Sequence, residues 1–393
     1  MIEGIDWGHS SFYNGASPLK DREILLLDST LREGAQAPEV SFTTRQMLQI
    51  AWMLDYFGID FVEISPIVSK NYFDACKTMV GAGLSCNVVA HVRALPKDVD
   101  VALKCDAKWV AMFQSMSDIH LKYKLRMSRE EAIDRMVKAI DYAKAHGLKV
   151  RFTMEDASRS DPEFLKFACR KAQEARVDRI SLPDTLGVMR PSGMYRMVKL
   201  IADEVSTPLD VHCHNDLGLA LANSLAGLEA GGSAVHVTID GIGERVGITS
   251  LAEATLALIL LYGVKLDVRL EMLKDLSDLL SSYTGLKTPD SKPIVGKNAF
   301  RHKAGTHVAA MLRSPSTYEL IPPKLVGNRR RIVFGELSGK NSATLLLSLL
   351  GLNPSPEETK RLSLGLKELA KGDLFELDLT DVLERRILEA DSG

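Results

Sequence analysis

Cysteine is scarce: five residues, Cys76, Cys86, Cys105, Cys169 and Cys213, are scattered over 393 positions, odd in number and without a CxxC pair. That argues against a disulfide framework and fits reduced thiols packed as small apolar groups in a cytoplasmic protein. Net charge is lacking too, at −2 with 25% of residues charged, so neither a nucleic-acid footprint nor a polybasic membrane patch is expected. The one basic run, Arg329-Arg330-Arg331, reads as a solvated turn. The longest apolar stretch, 256–264, is too short to span a bilayer, and Asp6, His9 and Asn14 break up any signal-peptide core. The expectation is a soluble cytosolic protein whose partners are small molecules, not nucleic acid or membrane. A GxGxxG after the first strand is also missing, which weakens a dinucleotide-binding open sheet.

What is present is repetition. Short β-rich apolar runs fall at 24–28, 61–65, 87–92, 109–114, 149–155, 179–183, 209–214 and 234–239. Helical periodicity fills the intervals: Met47, Ile50, Ala51 and Leu54 form one stripe, and Ile133, Met136, Val137 and Ile140 form another. Eight strand–helix units over about 240 residues match a TIM (β/α)8 barrel in count and length. The expected organisation is an N-terminal extension over 1–23, a catalytic barrel over 24–264 and a smaller, mostly helical C-terminal region over 265–393. Helices are expected there at 270–286, 342–350, 356–370 and 379–388. Its loop from Phe300 to His307 carries two histidines and reads as a lid component or a surface loop.

In a TIM barrel, active sites sit where strands end. The predicted ends carry Asp28, Arg32 and Glu33, then Ser65, His91, Gln114, Arg151 with Glu155, Asp184 with Thr185, His212 with His214, and Asp240 with Glu244. Ionisable groups thus gather at the strand finishes and apolar ones at the starts. A strand sends residues i and i+2 to one face, so His212 and His214 can converge on one ion. Glu33, at the end of another strand, would complete a facial His-His-carboxylate set with positions left open for water or substrate. Mg, Mn and Zn all tolerate such ligands.

Three motifs in order carry a family resemblance. Asp28-Ser29-Thr30-Leu31-Arg32-Glu33-Gly34, His212-Cys213-His214-Asn215-Asp216-Leu217-Gly218 and Gly241-Ile242-Gly243-Glu244-Arg245-Val246-Gly247 resemble the signatures of the DRE-TIM metallolyases. More narrowly they resemble its Claisen-condensing branch of homocitrate, isopropylmalate and citramalate synthases. Val150-Arg151-Phe152-Thr153-Met154-Glu155-Asp156, Val89-Ala90-His91 and Glu63-Ile64-Ser65-Pro66-Ile67-Val68-Ser69 are similar to the homocitrate synthase group. Arg151 and His91 together suit a second carboxylate, which a guanidinium can grip bidentately. The competing role for Arg151 is an internal ion pair with Glu155 or Asp156. Departures exist: Ser117-Asp118-Ile119-His120 and Lys124 are closer to the isopropylmalate side, and Ala111 stands where lysine-regulated enzymes hold an aspartate. The chain ends before the leucine-sensing domain of many isopropylmalate synthases, so regulation through that domain is not expected.

The resemblance implies an acyltransferase of amino-acid biosynthesis, lysine biosynthesis included, that condenses acetyl-CoA with 2-oxoglutarate to give homocitrate and CoA. The alternatives are isopropylmalate, citramalate or Re-type citrate synthesis on another 2-oxo acid. By resemblance, Glu33, His212 and His214 hold the divalent metal, Arg32 stabilises the developing alkoxide, and Thr185 binds the C1 carboxylate. His91 and Arg151 hold the distal carboxylate. A set of Glu155, His307 and Tyr318 removes the methyl proton, with His307 preferred over His302. Asp28 is expected to orient Arg32 or a metal-bound water. The family's C-terminal region crosses to a partner, which implies a homodimer. A hydroxymethylglutaryl-CoA lyase reading lacks its loop cysteine, since 241–249 contains none.

Overall fold

The computed structural model describes residues 13–334, 340, 343–344, 347, 353, 355–369 and 375–381. The chain divides into two compact units, one of residues 15–269 with 276–286 and the other of 1–14, 270–275 and 287–393.

The first unit is a closed parallel barrel of eight strands in sequence order: β1 (Leu25–Asp28), β2 (Phe61–Ile64), β3 (Asn87–Arg93), β4 (Trp109–Ser115), β5 (Lys149–Glu155), β6 (Arg179–Asp184), β7 (Leu209–Cys213) and β8 (Ala234–Val237). All eight lie on runs expected from the sequence. The helices α1 (Thr44–Phe57), α2 (Lys70–Gly81), α3 (Pro96–Lys104), the short α4 (Asp118–His120), α5 (Arg129–Ala145), α6 (Pro162–Glu174), α7 (Pro191–Ala202), α8 (Ala220–Glu229) and α9 (Leu251–Leu260) alternate with them. Local chemistry sets several ends. Thr43 with Gln46 and Ser128 with Glu131 form capping boxes that satisfy the first amides of α1 and α5.

The strand register stratifies the barrel interior. Leu27, Phe61, Val89, Trp109 and Ala111 form an apolar plug toward the strand starts. Above it the inward positions turn ionisable: Glu63, Arg151, Arg179, Asp210 and His236 are all buried. Higher still, His91, Phe113, Thr153, Ser181, Pro183 and His212 open onto a cavity. A barrel normally fills its middle layers with branched aliphatics, so a buried ionic layer has to be explained by what lies above it.

In the second unit, α10 (Leu273–Thr284) begins, and the chain continues through β9 (Arg301–His302), α11 (Gly305–Arg313), β10 (Arg331–Phe334), α12 (Pro356–Leu369) and β11 (Phe375–Asp378). The three strands make a small sheet in the order β11-β10-β9. Val308, Met311, Ile332, Phe334, Ala343 and Leu379 supply its core. The sequence reading placed no strand here, because runs of two and four residues are too short to show a period. The helices expected at 342–350 and 379–388 lie largely outside the described residues. Arg330 corrects the solvated-turn reading: its side chain is wholly buried and grips Glu319 through two hydrogen bonds of 2.7 and 2.6 Å. Among the described residues no helix is long and apolar enough to cross a membrane, and all five cysteines are buried and unbridged.

Candidate active site

The cavity at the strand C-termini has a volume of about 300 Å³, at the small end for ligand sites and suited to a compact acid. Its wall includes Arg32, Glu33, Gln36, His91, Glu155, Thr185, His212, His214, His236, Glu244 and Arg245. The site therefore gathers seven of the ten residues named from the sequence.

Glu33 follows β1 in a turn whose shape is set by Asp28, which accepts from the Thr30 amide at 2.8 Å and its hydroxyl at 3.0 Å. Asp28 thus braces the loop, and of its two expected roles the one toward Arg32 is not seen, since its hydrogen bonds go to Thr30; burial pushes its carboxyl up to about 7. His212 ends β7 and His214 follows it. Their Nε2 atoms stand 3.3 Å apart, and lie 3.9 and 4.0 Å from the two Glu33 oxygens. Donors each about 2.1 Å from one ion, at angles of 90–110°, would be about 3.0–3.5 Å apart. These three side chains form the one metal-competent group found among the described residues. Burial, aided by His214 and Arg32, holds the His212 imidazole well below the usual range, and burial lowers His214 too. With both Nε2 atoms free of hydrogen, their lone pairs face each other across 3.3 Å, an arrangement that a cation between them satisfies. The donor set fits a divalent ion.

The loop after β8 closes around this trio. The Glu244 amide donates to Glu33 Oε1 at 3.0 Å. A Cβ on Gly243 would meet Glu33 Oε1 at 3.0 Å, and one on Gly247, whose φ is +82°, would meet the Gly241 carbonyl at 1.8 Å. Only glycine permits that turn. Arg245 pairs with Asp216 at 2.7 Å and donates to the Thr185 carbonyl at 2.7 Å.

Beneath the cavity lies a residue that carried no role in the sequence reading. Glu63 accepts from Ser29 at 2.6 Å, from Arg32 Nε at 2.6 Å and from Arg151. Burial opposes its charge, but Arg151 and Arg32 outweigh that and hold its carboxyl well below the usual range. The ion-pair partner of Arg151 is accordingly Glu63, and neither Glu155 nor Asp156. Arg151 does not line the cavity but sits one layer down, with its Nε lacking any protein partner. The signal was readable: an acid in the otherwise apolar Phe61-Val62-Glu63-Ile64 must face something charged.

Other expected residues divide. Glu155 accepts from Lys124 at 2.6 and 2.7 Å and from Ser115, with Lys124 presented by a π-helical turn at Leu121–Leu125. Thr185 accepts from the Asp156 amide at 3.0 Å, which leaves its O–H as a donor. His307, on α11, stacks on Tyr318 with ring centroids 4.0 Å apart; both belong to the second unit. Gln114 faces outward and donates to the Ala132 carbonyl at 2.7 Å, as strand alternation requires. Asp240 accepts from Ser277 at 2.7 Å and does not line the cavity.

His91 lies flat on Phe113, ring centroids 4.8 Å apart, and burial pushes its imidazole down to about 3. An unfolded histidine protonates near 6.5, so between those values the unfolded chain binds the extra proton and stability falls as pH drops. His91→Gln is expected to lose less stability than the parent between about pH 7 and pH 5, by about 1–2 kcal/mol. Urea midpoints measured with a chelator present test this, and equal losses would contradict it.

A parallel (β/α)8 barrel with a cation-competent His-His-carboxylate cluster at its strand ends defines a TIM-barrel class with a candidate metal centre. The chain belongs to the HMGL-like family, whose model matches residues 23–280, and residues 294–373 match the homocitrate synthase post-HMGL domain-like model. The DRE-TIM resemblance is thereby borne out. It is 45% identical to a homocitrate synthase of Pyrococcus horikoshii over 84% of this chain and 91% of that one. It is 44% identical to homocitrate synthase AksA of Methanopyrus kandleri over 88% of each. A probable 2-isopropylmalate synthase of Methanopyrus kandleri is 43% identical over 88% of this chain and 70% of its own. Among solved structures, the HMG-CoA lyase of Bacillus subtilis matches with a TM-score of 0.61 at 19% identity, over 68% of this chain and 96% of that one, a likeness of fold alone.

Proposed function

We propose that this chain condenses acetyl-CoA with 2-oxoglutarate and hydrolyses the thioester, giving homocitrate and CoA. The observation that carries the choice of a dicarboxylic acceptor is the polar pair at and beneath the cavity: His91 on its wall, and Arg151 one layer down with its buried Nε lacking a protein partner. The apolar tail of a monocarboxylic oxo acid would offer these buried groups no partner, which is costly.

Glu33, His212 and His214 would hold the ion, which supplies Lewis acidity toward the keto group when bound. Arg32, fixed by Glu63 and Glu33, is placed to stabilise negative charge developing on the former keto oxygen. Thr185 donates to the C1 carboxylate. His91 meets the distal carboxylate at the cavity wall, with Arg151 supporting it from below. His307 takes the methyl proton of acetyl-CoA as a general base; Tyr318 stacks on it, and Glu155 completes the set. A homodimer in which the C-terminal region serves the partner's site is part of this reading.

The runner-up is the same chemistry on 2-oxoisovalerate or pyruvate. It is favoured by relatives named isopropylmalate and citramalate synthase at 43% and 42% identity. Free-thiol CoA release over a panel of 2-oxo acids decides. With 2-oxoglutarate, kcat/KM is expected to exceed that with 2-oxoisovalerate by about 100-fold or more, because buried polar groups left unpaired discriminate strongly. His91→Leu should raise KM for 2-oxoglutarate about tenfold and leave that for acetyl-CoA within about twofold. No turnover of 2-oxoglutarate would transfer the assignment to whichever acid reacts.

A further inference from the structure

We infer that His236 is a positioning residue that fixes the tautomer of His212, an inference resting on the reading of Glu33, His212 and His214 as a cation site. His236 lies on β8, beside β7, and its ring is almost wholly buried. Its Nδ1 is 3.2 Å from His212 Nδ1, and its Nε2 is 3.2 Å from Asp210 Oδ2.

With the Arg151 guanidinium 3.4 Å from its Nε2, the His236 ring is neutral, and proton placement along this chain then has one consistent solution. Asp210 is a carboxylate whose other oxygen is held by Arg179 at 2.6 Å, so it can only accept. Nε2 of His236 therefore carries a proton. A neutral imidazole has a single N–H, so Nδ1 of His236 is left with a lone pair. The facing Nδ1 of His212 must then be the donor, which strips its Nε2 of hydrogen. That Nε2 is the atom turned toward Glu33 and His214. The reverse assignment would set a nitrogen lone pair against the Asp210 carboxylate and an N–H into the cation position. Arg151 offers the one competing donor to His236 Nε2, at a longer 3.4 Å, which does not outweigh the carboxylate.

The two ligand histidines are not equivalent in this respect. Nδ1 of His214 is buried without a hydrogen-bond partner, whereas that of His212 is committed. A ligand locked in the binding tautomer spends none of its affinity on selecting it, and outer partners of this kind are worth about 10–100-fold in metal affinity. The relay runs from Arg179 on β6 through Asp210 on β7 to His236 on β8, so three strands set one proton.

The test is Mn²⁺ binding to the full chain by the EPR signal of unbound Mn²⁺, comparing the parent with His236→Gln, His236→Leu and His212→Ala. The glutamine amide can accept from His212 and donate to Asp210, so His236→Gln should bind within about threefold of the parent. His236→Leu should bind about 10–100-fold more weakly. His212→Ala serves the underlying reading: if it binds like the parent, the cation site itself is misassigned. If it fails while His236→Leu binds like the parent, or if the glutamine variant is as weak as the leucine one, the relay is wrong. Imidazole ¹⁵N shifts of the chelator-treated parent need no variant to fold beyond His212→Ala for assignment. They should report hydrogen on Nδ1 of His212 and on Nε2 of His236, and the opposite pattern overturns the inference.

Discussion

Alanine at His212 or His214, like exhaustive chelation of the parent, is expected to cut CoA release by about 10³-fold or more, equivalent to about 4 kcal/mol of transition-state stabilisation. The reasoning is geometric. The Nε2 atoms of the two imidazoles stand 3.3 Å apart, with the Glu33 oxygens 3.9 and 4.0 Å away. A single cation can engage all three side chains at once. Removing one ligand leaves two donors and a weakened grip, so Mn²⁺ affinity should fall in parallel with turnover. Parental activity after chelation, with residual metal measured and absent, would sink the whole catalytic reading.

Replacing Glu63 with alanine is expected to be the most destabilising single change in the barrel, at about 3–5 kcal/mol by urea denaturation. Glu63 neutralises Arg151, which is 2% exposed, and Arg32. Its loss leaves guanidinium charge buried beneath the cavity without its counter-charge, and the desolvation cost then stands alone. A second change, Arg151→Met in the Glu63→Ala background, should recover part of that loss, since removing both members of a buried pair costs less than removing one. Activity should not return with it, because Arg32 has lost one of the two carboxylates that fix it. A loss below about 1 kcal/mol for Glu63→Ala would show that water or a shifted side chain compensates for the charge.

Much of this arrangement could be read from the residues in order. Eight apolar runs of strand length separated by helical stripes fix the barrel, since a parallel sheet needs its hydrophobic strands and crossover helices in alternation. The i and i+2 spacing of His212 and His214 fixes their common face. Glu33 then follows from its place after β1. Family resemblance as well as strand-end position points to Thr185, Glu155 and His91, all of which reach the cavity. The small sheet of β9, β10 and β11 was not legible, because its strands are too short and too far apart in sequence to leave a pattern. Arg330 shows the same limit: within a run of three arginines, no local feature marks the middle one as the partner of a buried Glu319.

What the sequence determined by itself was the barrel's strands and helices and the common mouth toward which most of its strand-end ionisable residues turn, because periodicity is a property of neighbours along the chain. What only the tertiary structure decided was pairing. Glu63 meets Arg151 across 88 positions, and His236 meets Asp210 across 26. Such partners are chosen by strand register and by the low dielectric between them, and neither quantity exists until the barrel has closed.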